Sequence, residues 1–185
     1  MAGRNNQRDF ISKEDSSSPT VATESVLLTC AIDSQEGRDV VVIDIPNAFI
    51  QTKSEQPEDQ VLLRLRGLLA DLLVEIDPCT YKGFVTMNSK GESILICQCL
   101  KAIYGTVIAS LLYYRKFRKT VECNGFTVNP YDPCVANRTV TDKQQTICWH
   151  VYDCKLSHVD PKANDDFINF LKQEYENIFE VELAR

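Results

Sequence analysis

Four consecutive β-branched residues, Val40 to Ile43, constrain the fold more than any other feature of this sequence. An uninterrupted apolar run of this kind is typical of a strand that is buried on both faces of a sheet. The run ends at Asp44, and Pro46 prevents simple continuation because proline cannot donate to a ladder of backbone hydrogen bonds. The sequence therefore predicts a buried strand with a carboxylate at its end.

The remaining patterns predict an α+β fold with helices on one face of an antiparallel sheet. The clearest helix spans residues 106–124, where apolar residues recur every three or four positions. Asp160-Pro161 is typical of a helix start. The segment from Leu68 to Ile76 fits either a helix or a strand. Further segments predict a helix at 20–32 and strands at 61–66, 94–100, 135–140, 146–152 and 155–157.

Length and composition favour one globular domain. The chain has 185 residues, of which 44% are hydrophobic and 25% charged, as in ordinary globular proteins. We expect a flexible polar arm at residues 1–17, one domain at 18–182 and a short tail at 183–185. The net charge of −6 argues against a coat protein that binds nucleic acid through charge alone.

The termini and cysteines indicate an intracellular protein, cytoplasmic or nuclear. The first ten residues are polar and have no apolar core for a signal peptide. No run approaches 18 apolar residues, so no membrane span is predicted. The eight cysteines are scattered without a C-x-x-C pair, which favours free thiols in a reducing compartment.

Two carboxylates are candidates for metal binding. Asp44 ends the apolar strand, and Asp153 lies between two strand-like runs that a tight hairpin would join. If the strands are neighbours, the two carboxylates approach each other, which is unfavourable unless a cation neutralises them. The alternative is that Asp44 satisfies a loop and Asp153 is a turn residue.

Two other clusters have both a functional and a structural interpretation. Five cations without an acid, at Lys101, Arg115, Lys116, Arg118 and Lys119, could follow a phosphate backbone or form a solvated helix face. Cys97 and Cys99 with His150 and His158 could be imagined as a zinc set. Buried free thiols explain the cysteines better, because zinc sites usually show two tight ligand pairs.

Five segments, in this order, resemble the reverse transcriptase domain of copia-type retrotransposons. They are SSPTVATESVLLTCAID at 17–33, RDVVVIDIPNAFIQT at 38–52, LKAIYG at 100–105, NPYDPCVANRTV at 129–140 and TICWHVYDCKLSHVD at 146–160. Together they span most of residues 14–182. The resemblance implies a polymerase palm with part of the fingers, which adds deoxynucleotides to a primer on an RNA or DNA template.

The resemblance also implies roles for particular residues. Three carboxylates of the family hold two Mg²⁺ ions, which activate the primer hydroxyl and stabilise charge on the transferred phosphate. Asp44 matches the carboxylate at the end of the first palm strand, and Ile45 would offer its backbone carbonyl to a metal. Phe49 matches the aromatic residue that shapes the sugar pocket and disfavours a 2′-hydroxyl.

Two departures from the family lie in the catalytic hairpin, and a third lies at the start of the predicted helix at 106–124. The family expects Val-Asp-Asp, and this chain has Val151-Tyr152-Asp153. A neutral phenol is a poor Mg²⁺ ligand, so Tyr152 replaces a catalytic carboxylate with a group that cannot take its role. Cys154 stands in place of an aliphatic residue, and Ile108 in place of a glutamine that positions the nucleotide.

The sequence therefore predicts a reverse transcriptase domain of weak or no activity. The missing thumb and RNase H regions suggest a fragment or a decayed copy of a polyprotein. Two alternatives stay open. The chain could be a non-catalytic module that binds nucleic acid or another protein on a palm fold, or a relic without function.

Overall fold

The computed structural model describes residues 17–54 and 59–175. Nearly all of the predicted arm at 1–17 and the whole tail at 183–185 lie outside the described residues. Within them, the helices are α1 (Thr23–Glu36), α2 (Leu68–Ile76), α3 (Pro78–Tyr81), α4 (Ala109–Cys123) and α5 (Pro161–Glu174). The strands are β1 (Asp39–Asp44), β2 (Val61–Arg66), β3 (Thr86–Met87), β4 (Ser93–Cys99), β5 (Thr127–Val128), β6 (Val135–Val140), β7 (Lys143–His150) and β8 (Asp153–His158).

These strands form two antiparallel sheets. The larger sheet has the order β1-β8-β7-β6-β5, and the smaller one has the order β2-β4-β3. Antiparallel sheets combined with helices make this an α+β fold, as the sequence predicted. The ambiguous segment 68–76 is the helix α2, with Ala70 buried and Leu68, Leu69, Leu72 and Ile76 exposed.

One face of the larger sheet packs against α4 and α5. Trp149 of β7 contacts Phe117 of α4 with ring centroids 5.4 Å apart, and Leu156 of β8 and Phe167 of α5 belong to the same buried cluster. Phe117 and Val121 lie on the apolar face that the sequence predicted for α4, and both are fully buried. This cluster is the main core.

The other face of the larger sheet carries α1, whereas the sequence predicted helices on one face only. Lys155 of β8 forms an ion pair with Asp33 of α1. Lys155 points away from the core because side chains alternate along a strand and its neighbours Cys154 and Leu156 are core residues. Therefore α4 and α5 lie on one face of the larger sheet, and α1 lies on the other.

The prediction that β1 is buried on both faces is wrong. Val41 and Ile43 are buried in the core, whereas Val42 is 44% exposed. The reason is that α1 reaches only part of the second face. Side chains at the Asp44 end of β1 consequently border open solvent.

Local signals in the sequence explain where α5 begins. The Asp160 side chain accepts a hydrogen bond of 3.0 Å from the backbone N–H of Lys162, and Pro161 occupies the first helical position. This is the N-cap arrangement that the sequence predicted. Among the described residues, no helix is both long and apolar enough to cross a membrane.

Candidate functional site

Asp44 and Asp153 are direct partners in the pairing of β1 with β8. Directly opposed residues in an antiparallel pair have Cα atoms about 4.5–5.5 Å apart, and their side chains lie on the same face. The structure thus has the arrangement that the sequence suggested for neighbouring strands. Both residues lie at the end of the sheet, where β1 ends and β8 begins.

A two-residue turn places Asp153 at this position. His150 pairs with Asp153 across the β7–β8 hairpin, so Val151 and Tyr152 form the turn. Val151 has φ of 57°, a conformation that a β-branched residue rarely adopts. The backbone N–H of Ile45 donates to the carbonyl of Tyr152 at 3.3 Å, which fixes the turn to the end of β1.

The carboxylate pair faces the open side of the sheet. Alternation along β1 puts Asp44 on the face of the exposed Val42, opposite the core face of Ile43. Oδ1 of Asp44 is buried, while Asp153 is exposed. A ligand from solvent can therefore reach this pair without any movement of α4 or α5.

Three further aromatic rings surround Phe49, which is half-buried. The centroid of its ring lies 4.7 Å from that of Tyr104, 6.0 Å from Tyr113 and 6.4 Å from Tyr152. Sequence reasoning had placed Phe49 and Tyr152 at the site but missed Tyr104 and Tyr113. Tyr104 precedes Gly105 in one of the matching segments, which was the available signal; nothing in the pattern of α4 set Tyr113 apart from the core.

Burial and nearby negative charge raise the pKa values of Tyr104 and Tyr113, the two tyrosines that were not predicted from the sequence. Burial raises the pKa of Tyr104, and the neighbouring Tyr152 and Asp44 raise it further. The pKa of Tyr113 is raised well above its usual range, chiefly by burial and then by nearby acidic groups that include both carboxylates. Both phenols therefore stay neutral near physiological pH and can offer O–H donors but no anionic ligand.

Two carboxylates beside a backbone carbonyl are a donor set that suits Mg²⁺. This ion binds through one or two carboxylates and completes its octahedron with waters and substrate phosphates. Asp44 and Asp153 supply the carboxylates. Tyr152, next to them in the turn, supplies no third one.

The side chains of the three other residues singled out at this site are buried in the interior. Ile45 and Ile108 are buried among apolar side chains. Cys154 is fully buried, and burial raises the pKa of its thiol well above the usual range. The thiol therefore takes the place of a small apolar side chain.

The four residues considered as zinc ligands do not come together in the fold. Cys97 and Cys99 lie on β4 of the smaller sheet, whereas His150 and His158 lie on β7 and β8 of the larger one. The two ring nitrogens of His158 contact the backbone carbonyls of Val140 and Asp160. These four residues accordingly have no common site.

The predicted basic face does not share a face of the sheet with the carboxylates. Arg115, Lys116, Arg118 and Lys119 lie on α4, which packs on the opposite face from Asp44. Arg115 pairs with Asp59 at 3.2 Å and Arg118 with Glu122 at 3.0 Å. Lys101 precedes α4 in the chain, and its backbone forms an antiparallel bridge with that of Lys53.

In comparisons with known proteins, the chain matches no family model, no curated protein and no solved structure. What bears on its function is therefore the chemistry of its own residues.

Proposed function

We propose that the chain is a reverse transcriptase domain of the copia retrotransposon type, with the larger sheet as a polymerase palm and the smaller sheet as part of the fingers. Its reaction is the templated addition of deoxynucleotides to a primer. Its partners are an RNA or DNA primer–template and deoxynucleoside triphosphates. The activity of this copy is weak or lost because Tyr152 stands in place of a catalytic carboxylate.

The pairing of Asp44 with Asp153 is the observation that carries this proposal. Two of the segments that carry the resemblance are 38–52 and 146–160, and Thr52 and Thr146 at their facing ends are 94 positions apart in the sequence. The two segments form neighbouring strands, with both carboxylates at one end and on one open face. Like charges in such a position are unfavourable without a cation, which gives the pair a reason to be a metal site.

The residues around the pair have roles that follow from their positions. Asp44 and Asp153 would hold Mg²⁺, which supplies charge neutralisation for phosphoryl transfer when bound. Phe49 would lie beneath the sugar of an incoming nucleotide, and its contacts with Tyr104 and Tyr113 hold its ring in place. The pairing of Ile45 with the turn keeps the distance between the two strands fixed.

Tyr152 explains why activity is expected to be low. Its phenol contributes no charge, and its ring packs toward Phe49. Loss of one electrostatic contact to the transition state commonly reduces a rate by about 10²–10³-fold. A lost carboxylate between metal ions is at least as severe because it weakens metal binding as well.

Primer extension tests the proposal. Extension on an RNA template with Mg²⁺ is measured for the wild-type chain, for Tyr152→Asp, and for Tyr152→Asp combined with Asp44→Asn. We expect extension by Tyr152→Asp that exceeds the wild type by about 10²-fold or more, and no extension once Asp44 is also changed.

The outcomes separate the parts of the proposal. Equal, strong extension by the wild type and Tyr152→Asp contradicts the assigned defect. Absence of extension by all three folded chains contradicts the polymerase function. A Tyr152→Phe variant is the matched control, because it keeps the ring, adds no carboxylate and is expected to behave as the wild type does.

A non-catalytic module that binds nucleic acid is the second candidate. The observation that favours it is the basic surface of α4 on the face opposite the carboxylates, where it needs no metal. Binding to a primer–template that falls steeply with salt and does not change when Mg²⁺ is removed would favour this candidate.

A further inference from the structure

Two adjoining cavities run along the outer side of α4 and the segment that follows Phe49. Their volumes are about 510 Å³ and about 490 Å³, and they share Gln51, Lys53 and Lys116. Together they form one elongated depression, called the cation cleft below. Its basic residues are Lys53, Lys101, Arg115, Lys116 and Lys119.

The charge of the cation cleft is opposite to that of the chain. Among the residues that the structure describes, five basic residues line it against two acidic ones, Asp59 and Glu174, although the whole chain has a net charge of −6. Asp59 is already paired with Arg115. Within residues 17–54 and 59–175, no carboxylate lies within 4.0 Å of the ammonium groups of Lys53, Lys101 or Lys119.

Regular secondary structure holds most of these cations. Arg115, Lys116 and Lys119 fall on one side of α4, since residues four apart lie one turn apart. The Lys116 ammonium donates to the carbonyl of Gln51 at 2.8 Å and lies 4.5 Å from the centre of the Tyr175 ring. The backbone bridge between Lys53 and Lys101 fixes the opposite side.

We infer that the cation cleft binds a chain of closely spaced phosphoryl groups, and that it does so with no contribution from Asp44 or Asp153. Clustered ammonium and guanidinium groups attract an anion that carries several charges, because each charge can meet one cation. Both volumes lie in the range of small-molecule sites. Within residues 17–54 and 59–175, the lining includes no aromatic ring for a base to stack on, so the phosphates themselves are recognised.

Two sources share this chemistry: a free polyphosphate and the backbone of a nucleic acid. Binding of sodium tripolyphosphate is measured by calorimetry, and binding of a labelled single-stranded oligonucleotide by fluorescence anisotropy, both without Mg²⁺. The test variant is Lys53→Gln/Lys119→Gln. The matched control is Lys82→Gln/Lys90→Gln, which removes the same charge from exposed lysines outside the cleft.

We expect the cleft variant to bind the preferred ligand at least tenfold more weakly than the wild type and the control variant to bind within about twofold. Tight binding of tripolyphosphate identifies a free polyphosphate as the ligand. Tight binding of the oligonucleotide, displaced by tripolyphosphate only in large excess, identifies the backbone. A Lys53→Arg/Lys119→Arg variant retains binding if charge is what the cleft supplies.

The inference is overturned if neither ligand binds the folded wild-type chain, or if the cleft and control variants lose the same affinity. The second result would mean general attraction to surface charge. Neither result bears on the proposed polymerase function, because primer extension by Tyr152→Asp depends on the carboxylate pair and is measured separately.

Discussion

Asp44 ends β1 directly opposite Asp153, the first residue of β8. Like charges that face each other across a strand pair destabilise a sheet by a few tenths to about 1 kcal/mol. The hydrogen bond from Ile45 to the turn prevents the two residues from moving apart. This unfavourable contact is what the proposed Mg²⁺ would relieve, because a cation neutralises facing carboxylates.

The facing charges of Asp44 and Asp153 predict that Asp153→Asn changes the stability of the chain differently with and without Mg²⁺. Asp153→Asn removes one of two facing charges, so the free energy of unfolding should rise by about 0.5–1 kcal/mol in EDTA. Added Mg²⁺ should raise the melting temperature of the wild type but not that of the variant, because ligands stabilise the state that binds them. Thermal melts in EDTA and in MgCl₂ measure both effects.

Asp142→Asn is the control for this experiment. Asp142 is an exposed carboxylate in the turn at the other end of β7 and has φ of 60°, which asparagine also tolerates. It should leave the response to Mg²⁺ unchanged. Equal stabilisation of the wild type and Asp153→Asn by Mg²⁺ would contradict the assignment of the ion to this pair.

Val151 predicts a stabilising substitution in the same turn. A left-handed conformation costs a residue with a side chain about 1–2 kcal/mol, and Val151 has φ of 57°. Val151→Gly should raise the free energy of unfolding by about 1 kcal/mol in urea denaturation. Val140→Gly, on the regular strand β6, should lower it by a similar amount; a loss in both variants would mean that Val151 is not strained.

Much of the fold could be predicted because its local signals agree with its tertiary contacts. The run Val40 to Ile43 forms a strand, Asp160 caps a helix, and the apolar face of α4 packs into the core. The helix α1 is the exception, since it buries Thr29 and Asp33 while Leu27 and Leu28 are exposed. Because polar residues of α1 are buried and apolar ones are exposed, its sequence pattern does not reveal which face of the sheet the helix covers.

The site was predictable only in part. A strand-ending carboxylate and a hairpin carboxylate can be read from the sequence, but their register depends on pairing between residues more than 100 positions apart. Tyr113 could not be distinguished because its spacing on α4 is that of any core residue. Four of the five cations of the cation cleft were named from the sequence. The contribution of Lys53 was not, since Lys53 and Lys119 line one cavity only in the folded chain.

Buried thiols predict a loss of stability at alkaline pH. Burial raises the pKa of Cys134 to about 12 and also raises that of Cys148 and Cys154. In the unfolded chain a thiol ionises near pH 8.5, so above that pH the unfolded state has lost protons that the folded state keeps. The stability is thus fully present below about pH 8.5 and declines up to the folded-state pKa.

Each such thiol should lower the free energy of unfolding by about 1.4 kcal/mol per pH unit in this range. Urea denaturation at a series of pH values from 7.5 to about 10.5 measures the slope. Cys134→Ala should reduce the slope by the contribution of one thiol, whereas Cys79→Ala removes an exposed thiol and serves as the control. An unchanged slope in Cys134→Ala would contradict the assignment.

The ion pair between Asp33 and Lys155 predicts a strong coupling between α1 and the sheet. Asp33 is 5% exposed, and its second basic neighbour, Arg38, is 3.9 Å away, too far for a hydrogen bond. Lys155→Met leaves a buried carboxylate with little compensation and should cost about 3 kcal/mol in urea denaturation. Asp33→Leu combined with Lys155→Met removes both charges, while Arg38 keeps Glu36 and Thr146, so the double variant should recover most of that loss. Asp33→Leu alone is measured as well. If the loss in the double variant equals the sum of the losses in the two single variants, the pair is not coupled and α1 is held by its other contacts.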